Sequence, residues 1–192
     1  MSKQQKGAVF EREFARKLSL WWTSGVDRDV FWRSPNSGGF TTRLVQRGSD
    51  TKEIRTAGDI AAVKPEGDSF VRRVCLELKR GYGSGDLFTE LRSGKSKLHG
   101  FMKQAREQAA ENDIAQWWLV WKQDRKPALL FLPTCFFLQN PVYSFKGYSY
   151  NHLYIEVYNA DQGALQNVSI VVLDEFLDAA VPKNDFRVVS EK

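Results

Sequence analysis

Asp59-Ile-Ala-Ala-Val-Lys64, followed by Pro65-Glu-Gly-Asp68 and Ser69-Phe70-Val-Arg-Arg-Val-Cys75-Leu76-Glu77-Leu78-Lys79, is the stretch on which the reading of this chain turns. An acidic residue opens one apolar run, a Pro/Gly/Asp turn follows, and Glu77-x-Lys79 closes the next run. The pattern predicts two strands joined by a tight turn, a hairpin that gathers Asp59, Glu77 and Lys79. Strand side chains alternate faces, so Glu77 and Lys79 share one side and Leu76 and Leu78 the other. Two carboxylates beside an ammonium make a cluster of metal-binding size. The plainer alternative is a turn-capping Asp59 with an exposed Glu77–Lys79 ion pair, worth about 0–1 kcal/mol.

At 192 residues and 22.0 kDa the chain suits one domain, 1–192, with a core of its own. No apolar run approaches the ~20 residues of a membrane helix. The opening Met-Ser-Lys-Gln-Gln-Lys-Gly lacks a signal peptide's apolar region, so a cytoplasmic protein is expected. Cys75 and Cys135 each lie in an apolar run and are expected to be buried, reduced thiols. His99 and His152 stand apart from each other and from the cysteines, which excludes zinc fingers and histidine-metal nucleases. Any metal would be held by oxygen, which favours Mg²⁺ or Mn²⁺ over zinc.

The net charge of +5 is unevenly placed. Met1 to Thr56 carries 11 Lys and Arg against 6 acids, and Phe70 to Arg106 carries 9 against 3. From Tyr150 onward the balance reverses, 3 against 7. The basic excess brackets the acidic cluster, as a surface that follows phosphates would.

Gly7 to Trp22 reads as a helix with Phe10, Phe14, Leu18 and Trp21 in one stripe. Glu11 lies about 65° from the centre of that stripe and Glu13 about 95°, so Glu11 is better placed to look inward. Val30 to Arg33 is a short strand, and Ser34-Pro-Asn-Ser37-Gly-Gly39 a dense turn signal. Phe40 to Gly58, with Arg43, Arg47, Lys52 and Arg55, has no clean period and reads as a long, partly mobile loop, a kind that in compact domains is often functional. Gly81-x-Gly83 lacks the third glycine of a dinucleotide fingerprint, and Gly94-Lys-Ser96 lacks the upstream glycine of a P-loop. Lys97 to Asn112 is amphipathic and helical, with Gln104 beside its apolar stripe. Gln116 to Lys122 and Ala128 to Leu138 read as strands, the second limited by Pro133. Strand, helix, strand suggests a right-handed crossover between parallel strands. Trp117, Trp118 and Trp121 are expected in the core. Beyond Asn140 further strands are expected, and a closing helix at Asp174–Ala180 capped by Asp174.

With these elements in place the chain resembles the PD-(D/E)xK, restriction-endonuclease-like nuclease superfamily. Gly58-Asp59 matches the first half-motif with glycine in place of proline, and Glu77-Leu78-Lys79 matches the second. The segment from Lys6 to Glu13 resembles the opening of archaeal-type Holliday-junction resolvases, in which a glutamate four residues after the glycine, here Glu11, joins the active site. That resemblance also places a serine after the next strand, for which Ser34 or Ser37 stands, and Gln104 resembles the glutamine many members carry on the helix after the motif. It covers about Lys6 to Lys122.

The resemblance implies an α/β fold: a restriction-endonuclease-like core at about 6–138, a mixed central sheet flanked by helices, and a β-rich C-terminal extension at about 139–192. It further implies a metal-dependent DNA endonuclease, Holliday-junction resolvase-like, acting in recombination, repair or phage DNA processing. Asp59, Glu77, the Leu78 carbonyl and Glu11 would hold one or two Mg²⁺ (or Mn²⁺), which activate a water and polarise the phosphate. Lys79 would orient or deprotonate that water or stabilise developing charge, with Gln104 completing the catalytic set. Ser34, Ser37, Arg43, Arg47, Arg55 and Arg80 are the candidate DNA contacts. A junction resolvase would be a homodimer on branched DNA. The competing readings are a DNA-binding protein of nuclease fold with weak or no cleavage, and a restriction-like or RNA-directed nuclease.

Overall fold

The computed structural model describes residues 3–34, 58–81, 86–92, 96–138, 143–145, 152–159 and 164–182. Helix α1 (Lys3–Trp22) buries Phe10, Phe14, Ala15, Leu18 and Trp22, the face its spacing predicts, with Trp21 partly buried beside them. It ends where Ser24 and Gly25 turn to positive φ and the Gly25 amide donates back to the Leu20 carbonyl at 2.7 Å. Ser19 then ties the helix to the next element, because its hydroxyl donates to Ala15 O and accepts the Phe31 amide at 2.9 Å. Phe31 lies in β1 (Phe31–Arg33), which pairs antiparallel with β2 (Ile60–Ala62).

The stretch from Asp59 to Lys79 is not a hairpin. β2 pairs with β1, and the chain next passes through a 3-10 turn (Pro65–Gly67) and a one-turn helix α2 (Asp68–Val71) before entering β3 (Val74–Arg80). The turn residues Pro65, Glu66, Gly67 and Asp68 that suggested a tight reversal instead start helical turns, which sink Phe70 and Val71 into the core. That longer connection returns the chain in the same direction. Gly58 bridges Leu76 in parallel, and the Asp59 amide donates to the Leu76 carbonyl at 2.8 Å.

Beyond β3 come α3 (Leu87–Arg92), α4 (Lys97–Glu111), β4 (Gln116–Lys122) and β5 (Ala128–Pro133). β3 and β4 are parallel with α4 between them, as the strand, helix, strand order predicts, and β4 and β5 are antiparallel. Proline has no N–H to continue a ladder, and β5 stops at Pro133. The following residues form helix α5 (Thr134–Leu138) rather than more strand, which leaves Cys135 exposed; Cys75 is buried, and both thiols are free. After β6 (Tyr143–Phe145), β7 (His152–Asn159) and β8 (Ala164–Val172) join the central sheet themselves, giving the order β3-β4-β5-β8-β7. Helix α6 (Leu173–Ala179) and β9 (Ala180–Pro182) close the described chain, β9 pairing with β6. Asp174 does not cap α6: Val172 holds the cap position, and Asp174, in the first turn, pairs with Lys17 of α1.

The fold is thus α/β, a mixed five-stranded sheet flanked by helices. On one face α1, β1, β2, α2 and α6 cover Leu76, Leu78, Trp118 and Val120, with edge-on aromatic contacts linking Trp22, Phe31, Phe70, Trp118 and Phe176. On the other face α4 covers Cys75, Trp117, Leu119 and Trp121 through Leu98, Met102, Ala105 and Ala109. Among the described residues no helix is long and apolar enough to cross a membrane.

Candidate active site

Gly58 decides where Asp59 sits. Its φ is +83°, and a Cβ there would stand 2.3 Å from the Leu76 carbonyl oxygen. Proline, fixed near −65°, is excluded from this backbone, which gives the physical reason for glycine in the first half-motif. The close approach lets Asp59 reach across the parallel bridge, and its Oδ2 accepts the Leu78 amide at 2.7 Å. Leu78 therefore meets Asp59 through its N–H, while its neighbours Glu77 and Lys79 project to the α4 face.

Glu77 is 1% exposed in the second strand of the motif, and its Oε1 is paired with Lys79 Nζ. Lys79 also lies over the ring of Phe101 on α4, with Nζ 5.2 Å from the centroid. Gln104, half-buried on α4, stands one turn after Phe101. Glu77 Oε2 is buried with no hydrogen-bond partner. Burial, and after it the charge of Glu77, pushes the Asp59 carboxyl up to about 7, against the lowering effect of the Leu78 amide. Burial likewise raises Glu77, and the bond and charge of Lys79 oppose it. Cys75, two residues before Glu77, is pushed up to about 12 by burial and these two acids, so its thiol is inert.

α1 brings Glu11 to the same region. Its charge contributes to the raised pKa values of both Asp59 and Glu77, and its Oε2 accepts from Arg33 Nε at 2.6 Å, with the two side chains 20% and 17% exposed. Arg33 faces Ile60 in the β1–β2 register, and the next amide, of Ser34, donates to the Asp59 carbonyl at 2.8 Å. Arg33 is the one residue of this cluster that the sequence reading did not single out. Its signal was only a basic residue at the end of a short strand beside the Ser34 turn.

Among the described residues no three carboxylate, imidazole or thiol groups converge into a metal-binding set. Glu11 is turned to Arg33, and Glu77 to Lys79. The donors nonetheless fit a hard divalent cation: they are all oxygen, one buried carboxylate oxygen has no partner, the charge of Glu77 raises Asp59, and that of Glu11 raises both. Of the proposed DNA contacts, Arg80 lies 5.9 Å from the Phe10 ring centroid and 3.9 Å from a Glu13 oxygen. Ser37, Arg43, Arg47 and Arg55 lie outside the described residues.

A mixed sheet whose edge strand carries Glu77-x-Lys79 beside a Gly-Asp turn is the arrangement of the PD-(D/E)xK nucleases. The particular family follows from comparison: the family model described as phage putative PDDEXK endonuclease matches residues 2–187, and the chain belongs to that family. No curated protein and no solved structure matches it. Membership supports a nuclease; a kinship closer to the archaeal junction resolvases is not among the matches.

Proposed function

We propose that this protein is a divalent-metal-dependent DNA endonuclease that hydrolyses phosphodiester bonds at the Asp59–Glu77–Lys79 cluster, the described chain acting as one domain. The observation that carries the reading is the unpartnered, buried Glu77 Oε2 beside an Asp59 carboxyl pushed up to about 7. Two acids held this close in a poorly solvated site are costly unless a cation or a proton joins them. Asp59 and Glu77, with the Leu78 carbonyl and Glu11, would hold Mg²⁺ or Mn²⁺, which when bound supplies Lewis acidity toward the phosphate and a more acidic water. Lys79, held by Glu77 and the Phe101 ring, directs its ammonium at the phosphate and the attacking water. Gln104 on α4 orients that water, and Ser34 and Arg80 contact the DNA strand.

Branched DNA bound by a homodimer is the substrate we favour within this class. Its support is Glu11, which resolvase-like motifs place in the site and which here lies within electrostatic reach of both acids.

The test is cleavage of linear duplex, single-stranded and four-way-junction DNA with Mg²⁺ or EDTA, alongside Asp59→Ala and Lys79→Ala. Mg²⁺-dependent cutting lost in both variants is expected. DNA binding with no metal-dependent cutting on any substrate would make this a binding protein of nuclease fold, and equal cutting of linear and junction DNA would remove only the preference for branched DNA.

A further inference from the structure

A second concave site lies on the same face of the sheet as Glu77. Residues directly opposite one another in neighbouring strands share a face, and the registers place Glu77, Leu119, Phe131, Ile170 and Leu153 in one row across β3, β4, β5, β8 and β7. Glu77 ends the row on β3 and Leu153 ends it on β7, four interstrand spacings or about 19 Å away. The middle of the row is buried, but Leu153 is 37% exposed. It opens into a cavity of about 450 Å³ between α3, α4 and β7, lined by Phe88, Leu91, Arg92, His99, Ile155 and Glu156 as well.

The lining has the composition of a ligand site rather than of a packing defect. Phe88 is 71% exposed and Leu153 37%, and both line the cavity, so the two form one exposed apolar patch rather than scattered single side chains. Leu91 and Ile155, partly buried, make an apolar floor. Beside it stand one cation and one imidazole, Arg92 and His99, whereas Glu156, next after Ile155 on β7, borders the cavity from a position whose side chain belongs to the other face of the sheet. The short helix carrying Phe88 and Arg92 is fixed at its start, where Asp86 accepts from the Thr89 amide and hydroxyl, both at 2.9 Å. The wall carrying His99 is fixed by Ser96, whose hydroxyl caps α4 and bonds His99 Nδ1 at 2.9 Å. Both helices therefore begin with a capped first turn. A planar heteroaromatic ring with an attached anion matches this set: a face for Phe88 and a phosphate for Arg92. The cavity and the active site flank α4 on opposite sides, since His99 lines the first and Phe101, two residues and about 200° further round the helix, supports Lys79 at the second.

We propose that the cavity between α3, α4 and β7 receives an unpaired nucleobase of the DNA substrate, stacked on Phe88 with its phosphate at Arg92. This inference rests on the nuclease reading and narrows it. The enzyme engages DNA that offers a single-stranded tail or an extruded base able to reach from the Glu77 strand to β7, about 19 Å across the sheet by the strand spacing.

The experiment is binding in EDTA, by fluorescence anisotropy, of a blunt duplex and of the same duplex with a short single-stranded tail bearing 2-aminopurine, to wild type, Phe88→Ala, Phe88→Trp and Arg92→Gln. The tail is expected to tighten binding about tenfold, within the range of base–aromatic stacking, and to quench 2-aminopurine. Phe88→Ala should erase the tail's gain and the quench while leaving blunt-duplex affinity unchanged. Phe88→Trp should keep both, and Arg92→Gln should lose part of the gain. A tail that adds no affinity, or a gain that survives Phe88→Ala, overturns the proposal while leaving the nuclease reading in place; no binding to any DNA overturns both. A concentration-dependent dimer abolished by Phe88→Ala would assign the face to a second copy of the chain and equally overturn it.

Discussion

Asp59 Oδ2 accepts the Leu78 amide at 2.7 Å, so the acid on the turn is fastened to the strand whose neighbouring residues are Glu77 and Lys79. An amide oxygen can accept the same bond without the charge. Asp59→Asn should therefore leave the fold intact, lower Mg²⁺-dependent cleavage by about 10²–10³ or more, and raise thermal stability in EDTA at neutral pH. Single-turnover cleavage and thermal melts check the two halves separately, and full activity in Asp59→Asn would place the chemistry elsewhere.

The raised carboxyls also set a pH dependence. Asp59 titrates at about 7 in the fold against 3.8 in the unfolded chain, so between those values the folded state holds a proton the unfolded state has lost. Stability of the metal-free protein must then fall as pH rises through this window, and the raised Glu77 acts in the same direction. Melts in EDTA should give a lower Tm at about pH 8 than at about pH 5, Asp59→Asn should flatten the difference, and Mg²⁺ should restore most at the higher pH. A Tm that rises across that range would contradict the burial of these groups.

Gly58 makes the geometry possible, and its replacement should show it. A Cβ would stand 2.3 Å from the Leu76 carbonyl oxygen at a backbone φ of +83°. Gly58→Ala is expected to cost about 2–3 kcal/mol in urea unfolding. Because the strain falls on the residue before Asp59, cleavage should drop by more than the loss of folded protein explains, and a neutral substitution would mean the bridge between Gly58 and Leu76 does not form.

These positions show which parts of the arrangement the sequence could disclose. Glu77 and Lys79 were legible because strand alternation is local, and α1 and α4 because their stripes span several turns. The β3–β4 crossover followed from the order of periods. The supposed hairpin was misread because Pro65-Glu-Gly-Asp68 serves a tight reversal and a helical start equally well, and the burial of Phe70 and Val71 against distant elements decides between them. The same ambiguity after Pro133 turned an expected strand end into α5 and exposed Cys135. Arg33 and the cavity at Phe88 were illegible for a different reason. Each depends on partners from separate elements, Glu11 twenty-two positions away in one case and Leu153, Ile155 and Glu156 in the other.

Arg33 gives the next test. Its guanidinium donates to Glu11 at 2.6 Å where both side chains are mostly buried. Arg33→Gln should leave Glu11 uncompensated beside two other acids and cost about 1–3 kcal/mol in EDTA. A divalent cation would take over the compensation, so the loss should shrink in Mg²⁺. Calorimetric unfolding with and without the metal measures both values, and an equal loss in the two conditions would separate Glu11 from the cation.

Lys79 supplies the strongest test of the pair, because Glu77 Oε1 has Lys79 as its partner and Oε2 has none. Lys79→Met preserves the packing over Phe101 but removes the ammonium, so Glu77 can no longer remain buried and charged without a cation. Its carboxyl should move further up, since the bond and charge that lower it are gone. The stability of the metal-free variant should then fall more steeply with rising pH than that of wild type. Cleavage should drop by about 10²–10³ if the ammonium acts on the developing charge, while DNA binding in Ca²⁺ changes little. Lys79→Arg separates the roles: the guanidinium keeps a positive charge near Glu77 and restores the shallower pH slope, but its planar fork cannot reproduce the ammonium's position at the attacking water. Recovery of stability without recovery of cleavage is the expected result, and recovery of both would reduce Lys79 to a counter-charge.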